Sequence, residues 1–321
     1  MSAKPSCWIV TDGRPGMENQ CLGLAEALGL DPVVKRIKLR APWRQLSPVY
    51  WRWGTRWALH SQSDPLDPPW PDIVLASGRQ SVLPALMVKQ RNPATFIVQI
   101  QDPILSPRHF DLVITPRHDH LSGENVLSTR GSIHRITPQT LAQGVEKWRP
   151  IYDILPSPRI AVLIGGPNKA YGMRTQDVEQ LCQHLAKLSR DNGAGLMVTT
   201  SFRTGAVNKS IIQNALEGLP AIIWAGTGDN PYFGLLGLAD AIVVTPDSVN
   251  MVSEAATTSK PVYIAPLPGQ SRKFDDFHNA LMAEGVTRPF QGQLESWSYQ
   301  PLEDTKLAAD EIRRRCKCLQ S

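Results

Sequence analysis

The sequence predicts an α/β protein made of two doubly wound, Rossmann-like domains that face a cleft. Short apolar runs alternate with helical patterns along the 321 residues. Strands that are apolar without interruption and alternate with helices indicate parallel sheets covered on both faces. At about 150 residues per domain, this length suggests two domains. Pro150, Pro156 and Pro158 interrupt the pattern near its middle, which predicts domains over residues 1–150 and 151–321 because prolines there would end a helix and stiffen a linker.

The individual elements follow from where these apolar runs lie. Candidate strands of the first half are Cys7–Thr11, Val33–Leu39, Ile73–Ala76, Phe96–Ile100 and Leu112–Thr115. Those of the second half are Ile160–Ile164, Leu196–Thr199, Ala221–Trp224, Ala241–Thr245 and Val262–Ala265. The predicted helices are Met17–Leu28, Ser81–Gln90 and Gln139–Trp148, followed by helices near 175–190, 206–217, 248–258 and 273–284. Ligands of such sheets bind beyond the carboxyl ends of the strands, so residues that follow strands are the candidate functional residues.

Composition excludes several classes of protein. The chain is 42% hydrophobic and 20% charged, which is typical of a folded globular protein. Its net charge of +5 permits an anionic ligand or membrane surface, but no motif indicates nucleic-acid binding. The N-terminus does not resemble a signal peptide, and no apolar run approaches the length of a membrane span. Five scattered cysteines form no disulfide or zinc pattern, which favours a reducing, cytoplasmic location.

Polar residues follow the first two strands of the second half. Gly165 and Gly166 come directly after a strand, with Lys169 close behind. Glycines allow backbone N–H groups to approach a phosphate, and a lysine adds positive charge, although a tight turn is the alternative reading. Ser201 and Arg203 follow the next strand. A guanidinium pairs well with phosphate, but a surface loop with a solvated arginine also fits this pattern.

The sharpest pattern follows the fourth strand of that half, where a polar turn leads into a helix. Asp247, Ser248 and Asn250 lie in this turn and at the start of the helix. Ser248 can cap the helix, and a helix N-terminus favours an anion. Glu254 lies about two turns further on, where its carboxylate could accept both ribose hydroxyls; the alternative is a solvated helix residue. Asn230 and Pro231, after the third strand, indicate the cap and first residue of another helix.

The segment from residue 240 to 267 resembles the donor-binding segment of GT-B glycosyltransferases. It is similar in particular to the family that adds N-acetylglucosamine to form lipid II. In that family a Gly-Gly loop, a Ser/Arg after the second strand and a helical glutamate hold the nucleotide sugar. The resemblance implies these roles for Gly165, Gly166, Arg203, Ser248 and Glu254. That family has paired glutamines that hold the sugar. Near that place this chain has Asp275 and Asp276 instead.

Over nearly its whole length, the chain more closely resembles the plant "elongated mitochondria" fission-factor family and its bacterial relatives, which are described as glycosyltransferases. The motifs that carry this resemblance are Thr11-Asp12-Gly13-Arg14-Pro15-Gly16 with Asn19 and Gln20, Ser77-Gly78-Arg79 and Gln101-Asp102-Pro103. The resemblance implies the GT-B fold. It leaves two functions open, because the plant members are discussed as fission factors rather than as enzymes.

Glycosyl transfer needs a base that takes the proton of the acceptor hydroxyl, usually a carboxylate or a histidine. Asp12, Glu18 and Asp102 are the candidates, because each lies near the end of a first-half strand. Turn, cap and surface roles are the alternatives for them. Arg14, Asn19 and Arg79 are candidate acceptor-side residues in the same loops.

Residues 43–59 combine aromatic and basic side chains without an acidic residue. Tyr50, Trp53 and Trp57 fall on one face of a predicted helix, with Arg44, Arg52 and Arg56 nearby and Trp43 just before it. Such a helix suits an anionic membrane surface. The alternative is a helix packed in the core with arginines that extend to solvent.

The residues together predict a metal-independent, inverting glycosyltransferase that uses a nucleotide-diphosphate sugar as substrate, with no further cofactor. A metal-dependent transferase would usually show an Asp-x-Asp motif, which this sequence lacks. A non-catalytic scaffold on the same fold is the alternative. A nucleotide-sugar epimerase is disfavoured because the chain has neither a Gly-x-Gly-x-x-Gly opening nor a Tyr-x-x-x-Lys pair.

Overall fold

The structure is a computed structural model that describes residues 4–46, 48, 57–224 and 226–320. The chain divides into two compact units, one of Met1–Arg135 with Glu303–Ser321 and the other of Ile136–Leu302. Within the described residues, each unit contains one six-stranded, fully parallel sheet flanked by helices. The predicted class of two doubly wound α/β units is therefore confirmed.

The sheet of the first unit has the order β2-β1-β3-β4-β5-β6. Its strands are β1 (Cys7–Thr11), β2 (Pro32–Arg36), β3 (Ile73–Ser77), β4 (Phe96–Ile100), β5 (Leu112–Pro116) and β6 (Val126–Thr129). Its helices are α1 (Pro15–Leu28), α2 (Val82–Arg91) and the C-terminal α9 (Asp304–Arg315). Side chains of the central strands alternate between two buried apolar clusters, so that Ile9 packs on one face of the sheet and Val10 on the other. Burial on both faces explains why these strands are apolar without interruption.

The sheet of the second unit has the order β12-β11-β10-β7-β8-β9. Its strands are β7 (Arg159–Ile164), β8 (Gly195–Thr200), β9 (Ala221–Trp224), β10 (Ala241–Val244), β11 (Val262–Ile264) and β12 (Thr287–Pro289). Its helices are α3 (Pro138–Tyr152), α4 (Thr175–Asn192), α5 (Ala206–Ala215), α6 (Tyr232–Leu238), α7 (Val249–Ala256) and α8 (Arg272–Ala283). Side chains of β7 again divide between two apolar clusters, one on each face.

Each sheet has one edge strand that the sequence pattern did not predict. These are β6 and β12, both short, and β12 contains an arginine and a proline. An edge strand is paired on one side only and tolerates polar residues and proline, so its apolar signal is weak. The second strand of the chain also ends at Arg36 rather than at Leu39, which forms an isolated antiparallel bridge with Leu59.

The first unit gives way to the second after Arg135 in the sequence, earlier than the predicted boundary at residue 150. Pro150 lies inside α3 instead of ending it, and α3 packs closely on α6 of the second unit. A Cβ atom on Gly144 of α3 would lie 2.7 Å from the backbone nitrogen of Gly234. The chain then returns to the first unit at α9, where the carboxylate of Asp304 accepts hydrogen bonds from the N–H groups of Arg130 and Gly131.

The close approach of α3 and α6 predicts that Gly144→Ala lowers the melting temperature by several degrees. The added methyl group would overlap backbone atoms of Phe233 and Gly234, and overpacking of this kind costs about 1–3 kcal/mol. Alanine favours a helix over glycine by about 1 kcal/mol, which partly offsets this cost. Gly172→Ala is the control, because the nearest atom to its Cβ would be 3.7 Å away. A higher melting temperature for Gly144→Ala, measured by calorimetry, would contradict the tight helix contact.

Candidate functional site

In the second unit, the order of the strands reverses between β7 and β10. Ligands of doubly wound sheets bind beyond the carboxyl ends of the two strands at such a point. The loop after β7 begins with Gly165 and Gly166, and the loop after β10 begins with Thr245 and includes Asp247. The structure therefore brings these predicted donor-site residues together, and Arg203 from the loop after β8 joins them.

Asp247 is the centre of the hydrogen bonds in this region. Its carboxylate accepts bonds from the hydroxyl of Thr245 at 2.6 Å, the backbone nitrogen of Gly166 at 3.0 Å and the Nη2 atom of Arg203 at 2.7 Å. The side chain of Asp247 is 0% exposed, whereas that of Arg203 is 40% exposed. A buried carboxylate that accepts from three donors, one of them a cation, has its hydrogen-bonding capacity well used.

The two glycines have a packing role in this structure. The N–H of Gly165 donates to the hydroxyl of Thr245 at 2.8 Å, and that of Gly166 donates to Asp247, so both groups bond within the protein. A Cβ atom on Gly165 would lie 2.2 Å from the carboxylate of Asp247, and one on Gly166 would lie 2.3 Å from the carbonyl carbon of Arg203. Glycine is needed at both positions because the loop after β7 passes too close to Asp247 and Arg203 for a side chain. Phosphate binding by these N–H groups stays a prediction.

The loop after β8 is held by Arg203, whose Nη1 atom donates to the carbonyl of Gly166 at 2.6 Å. The reading of Arg203 as a merely solvated surface residue is therefore wrong. Ser201 closes a short local turn, with its N–H donating to the hydroxyl of Thr204 at 3.0 Å. Lys169 is exposed on the loop after β7. The roles of Ser201 and Lys169 in donor binding stay predictions.

The start of α7 confirms the predicted helix cap. The hydroxyl of Ser248 accepts a bond from the N–H of Met251 at 3.3 Å, and Asn250 lies in the first turn. Since Asp247 directly precedes this cap, the guanidinium of Arg203 lies beside the N-terminus of α7. A cation and a helix N-terminus side by side form an environment that favours an anion.

Glu254, further along α7, is half-buried and pairs with a tyrosine that sequence reasoning missed. The hydroxyl of Tyr232 donates to Oε2 of Glu254 at 2.6 Å. Burial raises the pKa of Glu254 to about 7, although this hydrogen bond acts in the opposite direction. The alternative of a solvated helix residue is therefore wrong. The helix-start pattern at Asn230 could have led to Tyr232, because the side chain of Asn230 accepts a bond from the N–H of Tyr232 at 3.0 Å. Helix α6 begins at Tyr232, one residue after the predicted start at Pro231.

Two further groups lie near the loop after β10. The Nε2 atom of His278, on α8, is 2.9 Å from the carbonyl of Pro246, and burial lowers the pKa of this histidine. Sequence reasoning did not single out His278, because its contact depends on how α8 packs. Asp275 and Asp276, which stand where the related family has paired glutamines, lie in the first half of α8.

The three candidate bases of the first unit have different surroundings. Both oxygens of Glu18 accept bonds from the guanidinium of Arg36, at 2.9 and 2.8 Å. Asp12 accepts a bond from the amide of Gln80 at 3.0 Å and pairs with Arg14 at 3.3 Å. Oδ1 of Asp102 accepts the N–H of Ile104 at 2.8 Å. Each of the three carboxylates therefore makes a turn or ion-pair contact. The role of any of them as the base stays a prediction.

The guanidinium of Arg79 binds backbone carbonyls of the same unit. Its Nη2 atom donates to the carbonyls of Arg44, Gln45 and Leu46, at 3.1, 3.0 and 2.8 Å, so it anchors that turn. Arg14 is largely exposed, and Asn19 is half-buried on α1. An acceptor-side role for Arg14, Asn19 and Arg79 stays a prediction.

The predicted basic aromatic helix lies largely outside the described residues, because these exclude 47 and 49–56. At its two ends, Trp43 packs against a buried apolar cluster of the first unit, and Trp57 is 66% exposed. Contact of residues 43–59 with an anionic membrane stays a prediction. In the described part of the chain, no helix has the length and apolar composition needed to cross a bilayer. Nor do the described residues hold a group of three or more His, Cys, Asp or Glu placed to bind a metal ion.

Solved structures with a similar fold include two UDP-GlcNAc 2-epimerases. The enzyme from Methanocaldococcus jannaschii in complex with UDP-GlcNAc and UDP has a TM-score of 0.55 and 10% identity, and the match covers 97% of this chain and 99% of that one. The enzyme from Neisseria meningitidis bound to UDP-GlcNAc has a TM-score of 0.51 and 11% identity, with 98% and 93% covered. At these identities the likeness shows the fold alone.

Sequence comparison shows the family. The chain is 30% identical to the mitochondrial fission protein ELM1 of Arabidopsis thaliana, over 95% of this chain and 90% of that protein. The model of the mitochondrial fission ELM1 family matches residues 15–316. The match includes the second sheet, every strand of the first sheet except β1, and all the candidate donor-site residues. The chain therefore belongs to the mitochondrial fission ELM1 family.

Proposed function

We propose that the second unit binds a nucleotide-diphosphate sugar and that the protein transfers this sugar to a lipid-linked or saccharide acceptor. The observation that carries the proposal is the arrangement along the start of α7. Arg203 and the N-terminus of α7 offer positive charge to a diphosphate, and Glu254 offers a carboxylate to a ribose about two turns away. The similar structures bound to UDP-GlcNAc support a nucleotide sugar as the ligand.

The proposed chemistry is a single displacement at the anomeric carbon. The acceptor oxygen forms a bond to this carbon while the bond to the diphosphate oxygen breaks. Arg203 and the helix N-terminus stabilise the charge that develops on the leaving diphosphate, which is the role a metal ion has in other transferases. A carboxylate accepts the acceptor proton. Glu18 suits this role least, because both of its oxygens already bind Arg36.

A non-catalytic binding protein is the second candidate, and one observation favours it. Asp247 neutralises Arg203 and takes up the N–H of Gly166, which leaves less positive charge for a diphosphate. An epimerase also requires consideration, because structures with this fold include UDP-GlcNAc 2-epimerases.

The test is a ligand panel of UDP, ADP, GDP and their sugars, followed by product analysis. We expect UDP or UDP-GlcNAc to raise the melting temperature, since a ligand at 100 times its Kd stabilises a protein by about 2.7 kcal/mol. Transfer should release UDP and should persist in excess EDTA. Loss of turnover with EDTA that magnesium or manganese restores would contradict the metal-independent mechanism.

The same assay separates the alternatives. Conversion of UDP-GlcNAc to its C2 epimer without release of UDP would identify an epimerase. Binding without turnover, over a range of lipid-linked and saccharide acceptors, would favour the scaffold. Arg190→Ala is the charge-matched control for Arg203, because Arg190 is exposed at the end of α4, and it should leave binding unchanged.

A further inference from the structure

The Tyr232–Glu254 pair carries an inference that rests on the proposed nucleotide site. We propose that Tyr232 is a positioning residue whose hydroxyl holds the Glu254 carboxylate so that its remaining acceptor positions receive a ribose diol, with release of a proton on binding. The protein would therefore prefer a ribonucleoside diphosphate to its 2′-deoxy counterpart, and its affinity would depend on pH near neutrality.

The geometry of the pair supports this role. The phenol donates to Oε2 at 2.6 Å, a short and well-formed hydrogen bond to a carboxylate. Tyr232 is the first residue of α6, and Glu254 lies on α7, so two separate helices fix the two side chains. Burial raises the pKa of Tyr232 well above its ordinary value, and the neighbouring Glu254 raises it further. The tyrosine therefore remains protonated at neutral pH and acts as the donor.

The number of acceptor positions explains the preference for an ionised glutamate. A carboxylate has about four lone-pair positions, whereas its protonated form loses acceptor capacity and gains an O–H donor. With one position taken by Tyr232, the ionised group can still accept bonds from both the 2′- and the 3′-hydroxyl of a ribose. A 2′-deoxyribose would leave one of these half-buried positions without a partner, which costs affinity.

Three charged groups among the described residues near these elements are engaged elsewhere. Asp247, before α7, pairs with Arg203. Lys260, before β11, donates to the carbonyls of Leu236 and Gly237 at the end of α6. Asp229, before α6, pairs with Lys147. Burial raises the pKa of Glu254 to about 7 and the bond from Tyr232 lowers it, so both the protonated and the ionised form of Glu254 are populated in the free protein near neutral pH.

The experiment is calorimetric titration with UDP and dUDP between pH 6 and pH 9, in buffers of different ionisation enthalpy. For the native protein we expect a fractional proton release per UDP near neutral pH and about tenfold tighter binding at pH 8 than at pH 6, because the apparent affinity follows the ionised fraction. Affinity for dUDP should be about tenfold lower. Glu254→Gln should remove the share of the proton release that comes from Glu254, leaving only protons given up by the terminal phosphate of UDP, whose last pKa is about 6.

Tyr232→Phe tests the tyrosine itself, because it removes only the hydroxyl. Loss of the hydrogen bond should raise the pKa of Glu254, so the pH midpoint of UDP binding should move upward and the preference over dUDP should shrink. Tyr299→Phe is the matched control: its half-buried hydroxyl donates to the carbonyl of Lys260 at 2.7 Å, and its loss should leave the midpoint unchanged. Melting temperatures establish that each variant is folded.

The outcomes separate this inference from the proposed function. Binding of UDP without pH dependence, proton release or preference over dUDP would overturn the inference and leave the nucleotide site intact. An unchanged pH midpoint in folded Tyr232→Phe would exclude the positioning role of the tyrosine. Failure of the native protein to bind any nucleoside diphosphate would overturn both proposals.

Discussion

Arg203→Ala is expected to lower the melting temperature by about 10 °C and to weaken nucleotide binding. Loss of the guanidinium leaves the carboxylate of Asp247, which is 0% exposed, without the cation beside it. Removal of the cation beside a buried carboxylate costs about 3 kcal/mol, and each kcal/mol lowers the melting temperature by about 2–4 °C in a unit of about 150–250 residues, the size range of the second unit. The bond between Arg203 and the carbonyl of Gly166 is lost as well.

The effect on binding is a separate measurement on the folded variant at low temperature. Loss of a charged hydrogen bond to the diphosphate should cost about 1.5–3 kcal/mol, which is roughly a 10- to 100-fold loss of affinity for UDP. Lys169→Ala is the comparison, because Lys169 is exposed. It should reduce affinity without changing the melting temperature. Native affinity in folded Arg203→Ala would remove this residue from the site.

A double variant identifies the source of the instability. Arg203→Ala with Asp247→Asn should recover part of the lost stability, because it removes the buried charge. The amide oxygen can still accept from the N–H of Gly166, and the amide NH2 can donate to the hydroxyl of Thr245 in place of the bond that the carboxylate accepted. A double variant that is less stable by the sum of the two single changes would show that the two side chains do not interact.

Glu254→Gln is expected to stabilise the protein above pH 7 while it weakens nucleotide binding. Burial raises the pKa of Glu254 from 4.5 to about 7, so the folded state binds a proton more tightly than the unfolded state does. This group therefore costs stability progressively as the pH rises from about 4.5 to about 7, up to about 3 kcal/mol. Glutamine resembles the protonated form, can still accept the bond from Tyr232, and avoids this cost.

The measurement is the free energy of unfolding in urea at pH 5 and at pH 8. Glu254→Gln and the native protein should be similar at pH 5, and the variant should be more stable at pH 8. Glu311→Gln is the control of opposite sign, because Arg314 and Arg315 lower the pKa of Glu311 to about 2. That variant should be less stable than the native protein at pH 8. A Glu254→Gln variant that is equally stable at both pH values would exclude a costly buried carboxylate.

Together, the two effects of Glu254→Gln bear on function. A carboxylate that reduces stability at neutral pH is typical of a binding or catalytic site, where activity and stability oppose each other. If the variant gains stability and loses affinity for UDP, the cost of Glu254 is tied to ligand binding. If it gains stability and binds UDP normally, the ribose contact is wrong.

The sequence alone determined the two parallel sheets, the strands at their centres and the cap at Ser248. These features depend on short-range patterns, because apolar runs and helix caps involve residues within a few positions of each other. It also indicated Arg203, Asp247 and Glu254, because side chains at the carboxyl ends of parallel strands gather at one edge of the sheet. The edge strands β6 and β12 and the C-terminal helix gave no comparable local signal.

Only the tertiary structure decided how these residues are used. Asp247 takes up the N–H of Gly166 and the guanidinium of Arg203, Tyr232 holds Glu254, and Arg36 binds Glu18. Each of these contacts joins residues that lie far apart in the sequence, on loops or helices whose separation depends on the packing of the whole unit. The same holds for the unit boundary, since α3 belongs to the second unit through the contact of Gly144 with Gly234. Distances between side chains on different elements are set by the packed core, and no local pattern along the chain encodes them.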